Sequence, residues 1–131
     1  MRSALAHVRT LAVLLLVEVG IRSLPLPRLC RLLGVRLRPV GAPGPQRTTP
    51  LPWWGRPGVT ATDRLLARWP FGDTCLRRAL LVAHILRPLH PVVCLGLRRR
   101  GDGVIGHAWI EVDGQSLDGD LADVLPLLGV A

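Results

Sequence analysis

A chain of 131 residues with 49% apolar side chains has the material for one core and one small domain. Its bases are all arginine, and the net charge of +8 is uneven: residues 1–100 sum to +14 and residues 101–131 to −6. The arginines are dispersed and no aromatic-lined groove signature accompanies them, which argues against nucleic acid as the partner and for a protein or peptide of acidic character.

In chain order, Leu11 to Val17 (LAVLLLV) follows Arg2 and Arg9 in the charged-then-apolar layout of a signal peptide. Glu18 interrupts the run, no clear small-residue cleavage site follows, and the apolar stretch is too short to span a bilayer. A second, amphipathic piece from Leu24 to Leu37 carries Arg28, Arg31 and Arg36, with Arg38 just beyond. Both pieces are expected to be helices that pack on the domain or meet a partner. Peripheral contact with an anionic membrane surface is the alternative. Residues 39–58 hold six prolines and four glycines and are expected to be a loop. The loop separates an N-terminal helical segment, 1–38, from a core at 59–131, all within one domain. Trp53 and Trp54 are expected to anchor that loop on the core, ahead of a role in a substrate groove. Thr62 or Asp63 starts a short helix that ends before Pro70.

From Cys75 to Arg87 the chain reads CLRRALLVAHILR. Leu76, Ala79, Leu80, Ala83 and Leu86 recur at helical spacing, Asp73 or Thr74 can cap the start, and Pro88 stops the helix. Cys75 then falls in the first turn. Unpaired N–H groups and the positive end of the helix dipole favour a thiolate there, and the same groups can stabilise an oxyanion. Pro91 to Leu97 is apolar and β-branched and predicts a buried strand. Arg98 to Gly103 (RRRGDG) predicts a hairpin turn with Asp102-Gly103 as its core, Val104 to Val112 a second strand, and Asp113-Gly114-Gln115 another tight turn into a third strand from Ser116 to Gly119. On the second strand His107, Trp109 and Glu111 alternate with Ala108, Ile110 and Val112. A sheet packed against the Cys75 helix can bring His107 to the thiol, and Asp118, across the next turn, can orient the imidazole.

Taken singly, none of these residues demands a reaction. A helical Cys is more often a small buried hydrophobe, a strand-end His more often a satisfied hydrogen-bonding group, and a turn Asp more often structural. Glu111 and Asp113 read as solvated hairpin charges. His7, His84 and His90 read as ordinary surface or core histidines. Cys30 and Cys94 lie in apolar runs and read as core. Three cysteines with no CxxC spacing argue against a disulfide scaffold and a zinc site, and for a reducing, cytoplasmic setting. The specific signal is the joint order: a helix-opening Cys75, a hairpin, a strand His107, then Asp118.

That order is the layout of a papain-like or transglutaminase-like Cys-His-Asp site. The segment from about Trp69 to Asp120 resembles the transglutaminase-like cysteine peptidase core, and within it the leader peptidases of lasso-peptide biosynthesis. Cys75 opening a Leu/Ala/Arg helix, the strand and basic hairpin from Cys94 to Gly103, and His-Ala-Trp-Ile-Glu-Val-Asp-Gly from His107 to Gly114 carry the resemblance. It implies an α+β fold in which the cysteine helix packs on a small antiparallel sheet bearing the His and Asp. It also implies Cys75 as nucleophile, His107 as base and Asp118 as the orienting acid, with Asp120 a second candidate for the last role. By the same resemblance the activity is hydrolysis of a ribosomally made precursor peptide between leader and core, with no cofactor. A small leader-recognition protein and a lasso cyclase are the implied partners. A transglutaminase-like acyltransferase or amidase on the same triad, or a peptide-binding scaffold with a vestigial triad, are the alternatives.

Overall fold

The computed structural model describes residues 2–38, 50–71, 75–117 and 124–126; the side chains of 2–3, 97–100, 104–107 and 124–126 fall outside that description. Helix α1 (Arg2–Ser23) runs into α2 (Leu26–Leu33) and a short strand β1 (Arg36–Leu37). A 3₁₀ turn (Trp53–Gly55) leads into α3 (Arg56–Leu66), followed by α4 (Cys75–Ile85) and a second 3₁₀ turn (Arg87–Leu89). The strands β2 (Val92–Arg100), β3 (Gly103–Val112), β4 (Gln115–Ser116) and β5 (Val124–Pro126) complete an α+β fold.

The first strands of the sheet form a long hairpin. β2 pairs antiparallel with β3 from Val92↔Glu111 to Arg100↔Gly103, and β4 extends β3 by Val112↔Gln115. The other edge of β2 is shared: β1 runs parallel to its first residues and β5 antiparallel to Gly96–Arg98. Covering both halves of that edge leaves fewer unpaired backbone groups for another chain to add to. The expected RRRGDG turn is shorter than its sequence suggested. Arg98, Arg99 and Arg100 continue β2, Gly103 already pairs in β3, and the loop is Gly101-Asp102 rather than the expected Asp102-Gly103, with φ +58° at Gly101 as a two-residue hairpin with glycine first requires. The second turn, Asp113–Gly114, has positive φ at both residues, the mirror-image turn that Asp-Gly favours.

α4 is the centre of the molecule. Five consecutive residues, Ala79 to Ala83, are buried, which an amphipathic surface helix cannot show. It touches α1 and α3 on one side and the sheet on the other. Leu80, Leu81 and Leu86 join Leu14 and Val17 from α1, Leu29 and Leu33 from α2, and Val93, Ala108 and Ile110 from the sheet in one core. Cys30 and Cys94 are buried, as their apolar contexts predicted. α2 seats Leu29 against Gly20 of α1, where an added Cβ would lie 2.5 Å from a Leu29 methyl, and ends at Gly34 with φ +75°, the left-handed cap that glycine allows.

Three further expectations are corrected. α3 begins at Arg56, earlier than Thr62, because Pro57 sits in its first turn, where a missing N–H costs nothing. Residues 56–58 of the expected loop are therefore helix, and residues 39–49 of it lie outside the described residues. Trp53 and Trp54 are not core anchors: they are 79% and 40% exposed. The apolar run at the N-terminus grows into a 22-residue helix, and Ala4–Ser23 is long and apolar enough to cross a bilayer by length and composition alone.

Candidate functional site

Cys75 is the first residue of α4, half-buried, and packed with Leu76 against the core. The N–H groups of a first helical turn have no intrahelical acceptor, so the position suits an anionic sulfur or oxyanion. The residues expected to cap it, Asp73 and Thr74, lie outside the described residues, as do Asp118 and Asp120. His107 sits in β3 opposite Gly96, and α4 packs on β3. The helix lies on the face that carries Ala108 and Ile110. The His107 side chain falls outside the described residues, so the register places its backbone on the sheet that α4 covers and no more.

The N-terminal turn of α4 is held by a buried acid from α1. Glu18, 5% exposed, accepts hydrogen bonds from Arg77 Nε at 2.5 Å and Nη2 at 2.9 Å, and from the Trp69 indole N–H at 3.1 Å. Arg22, one helical turn further along α1, pairs with the same carboxylate at 3.1 Å. The Arg77 hydrogen bonds, assisted by Trp69 and by both guanidinium charges, outweigh burial and hold the Glu18 carboxyl at a pKa of about 2. Arg22 also stacks over Phe71 at 4.9 Å, and Phe71 meets Trp69 edge-on with centroids 5.6 Å apart. Arg77 is two residues from Cys75, so α1 and the Trp69–Phe71 segment converge on the turn that opens with the thiol. Helical spacing alone assigns Arg77 no partner, and Glu18 reads from the sequence only as a break in an apolar run.

A second buried acid lies on the far face of the sheet. Glu111, expected to be a solvated hairpin charge, is 2% exposed. It receives the Arg38 guanidinium, the Trp109 indole N–H at 2.9 Å and the Cys94 thiol at 3.4 Å. Burial first, and then the Glu111 charge, push the Cys94 thiol up to about 12. Burial raises the Cys30 thiol as well. Neither is poised as a nucleophile. Asp113 is exposed at its turn, as expected. His84 is tied to the Leu33 carbonyl through Nδ1 at 2.9 Å and to Arg87 through Nε2 at 3.1 Å, a structural role. Among the described residues no three His, Cys, Asp or Glu side chains stand together as metal ligands. An open cavity of about 320 Å³ lies between α1, α3 and the C-terminal end of α4, lined by Arg9, Trp54 and His84 among others. It is roughly 14 Å along α4 from Cys75, at 1.5 Å per residue.

The family model of the transglutaminase-like superfamily matches residues 12–127. The chain belongs to that superfamily. The match starts within α1 and runs through β5, so the N-terminal helix is part of the superfamily domain along with the cysteine helix and the hairpin. Comparison with curated proteins and with solved structures found no match. The superfamily usually works through a catalytic cysteine, and the chain fits the general kind of cysteine peptidase or acyltransferase.

Proposed function

We propose that the protein is a cysteine peptidase that removes the leader from a ribosomally made precursor peptide during lasso-peptide maturation. The observation that carries the reading is Cys75: in a chain of this superfamily it opens the central helix, half-buried, while the other two cysteines are sealed in the core. The Cys75 thiol gives its proton to His107, and the sulfur attacks the carbonyl carbon of the scissile bond. The N–H groups of the first turn of α4 receive the charge on the carbonyl oxygen. His107 returns the proton to the leaving amine, and Asp118 holds the imidazole in the required tautomer. Water, deprotonated by His107, then displaces the sulfur and frees the carboxylate. The leader-peptidase assignment rests on the resemblance of the Cys75-to-Gly114 segment. It brings with it a small recognition protein that presents the leader and a cyclase that closes the core peptide.

Mass spectrometry of precursor peptide incubated with the protein and its recognition partner tests the proposal. Wild type and the Cys30→Ala and Cys94→Ala variants cut the peptide, whereas Cys75→Ala leaves it intact. Undiminished cleavage by Cys75→Ala removes the peptidase reading. The alternative is a peptide-binding scaffold on the same fold, with the triad vestigial. Peptide binding without cleavage by the wild type, partner present, supports that one.

A further inference from the structure

We infer that the outer face of α1 docks on an anionic bilayer surface, with the helix lying in the interface. The helix is apolar on both sides. Its inner side buries Leu14, Val17 and Glu18, while Leu5, Val8, Leu11, Leu15, Leu16 and Val19 are each 40–65% exposed on the other. Leu5, Val8, Leu11, Leu15 and Val19 recur at steps of three and four residues with Leu16 beside them, so the six form one stripe, about 21 Å long at 1.5 Å per residue. No other described helix carries so long an exposed apolar row, and a stripe of this size in water marks an interaction surface.

Charge decides the occupant. Residues 1–62 contain nine arginines and a single acid, Glu18. That acid is spent on Arg77, Arg22 and Trp69 inside the fold. Arg9 borders the stripe and is exposed, Arg22 stands at its C-terminal end with its side chain 60% exposed, and Arg28 and Arg31 are exposed on the next helix. An apolar stripe in cationic surroundings matches acyl chains beneath anionic headgroups. A second copy of the chain would set one +8 molecule against another through the same cationic region. Spanning is disfavoured although Ala4–Ser23 is long enough. It would strip Leu14 and Val17 from the core and pull Glu18 from its guanidinium partner.

Flotation of the intact protein with phosphatidylcholine vesicles, with and without phosphatidylglycerol, tests the inference. The wild type floats with the phosphatidylglycerol vesicles, stays behind with phosphatidylcholine alone, and is released by salt. Val8→Asp combined with Leu16→Asp, both at exposed positions, lowers partitioning at least about tenfold. Leu15→Ser combined with Leu16→Ser lowers it in the same direction, and circular dichroism establishes that each variant is folded. The inference is overturned if the wild type stays in solution with phosphatidylglycerol vesicles, floats equally with neutral ones, or binds as well after both substitutions. Sedimentation showing a dimer that the same substitutions dissolve also overturns it, by giving the face to a second copy.

Discussion

Glu18→Gln removes one charge from the point where α1, the Trp69–Phe71 segment and the first turn of α4 meet. The substitution keeps the volume and one acceptor oxygen, so the cavity contribution is small and the lost charge dominates. A carboxyl held at about 2 against an ordinary 4.5 corresponds to about 3 kcal/mol at about 1.4 kcal/mol per unit. The side chain is 7% exposed and Arg77 12%, so solvent screens the pair little, whereas Arg22 at 60% adds little. Retaining an amide acceptor for Arg77 and Trp69 returns part of the loss. The expected destabilisation is therefore about 2 kcal/mol, or a fall in Tm of roughly 6–10 °C for a domain of this size.

The pH dependence supplies a sign that can be checked. The folded-state pKa of Glu18 lies below its unfolded value, so the pair's contribution is complete above about pH 5.5. It is lost progressively as pH falls through about 4.5 toward 2. Thermal melts by circular dichroism should show wild type and Glu18→Gln far apart at pH 7 and converging toward pH 3, other carboxylates lowering both alike. Equal Tm values at pH 7, or a gap that widens as pH falls, would refute the assignment of a buried ionised pair. If the pair also fixes the turn that carries Cys75, alkylation of that thiol should change its pH profile in Glu18→Gln while Arg78→Gln, whose partner Asp63 is half exposed, leaves it unchanged.

Iodoacetamide at neutral pH should modify Cys75 first, with Cys94 and Cys30 reacting only on denaturation, since both are buried and their thiols raised; peptide mapping reads the order. Asp118→Asn should slow single-turnover cleavage by about 10²–10³-fold, within the range of acid–base effects, and Asp120→Asn should leave it near normal; the reverse order moves the orienting role to Asp120.

Much of the fold could be read from local pattern, because local pattern governs it. The apolar period from Leu76 to Leu86 gave α4 its start and, within two residues, its end. Asp113-Gly114 gave the second hairpin, since few other dipeptides tolerate two positive φ angles. The errors fall where a distant partner decides. Glu18 and Glu111 look like solvent charges until Arg77 and Arg38, 59 and 73 residues away, arrive beside them. Neither distance leaves a mark in a window of ten residues. The two-residue strand β1 carries too few residues to show a period, and its parallel pairing to β2 depends on the whole crossover through α3 and α4. Trp53 and Trp54 depart from expectation for the opposite reason: aromatic bulk suits a core, but Leu80, Leu81 and Leu86 already fill it.

The same division applies to the candidate site. Cys75 was legible because a helix start is a local property, and burial of the other two cysteines singles it out further. The pairing of Cys75 with His107 is a tertiary statement, and alternation could only divide β3 into two faces. Which face meets α4 was decided by Ala108 and Ile110, small and aliphatic side chains that let the helix approach, against Trp109 and Glu111 on the far side, where Arg38, Cys94 and the Trp109 indole all bond to Glu111. β3 pairs with β2 without a break across Gly106, His107 and Ala108, so a local slip of the ladder is not what would join His107 to the first turn of α4. His107→Ala tests the pairing directly: it should abolish peptide cleavage with little change in Tm, whereas undiminished cleavage would remove His107 as the base.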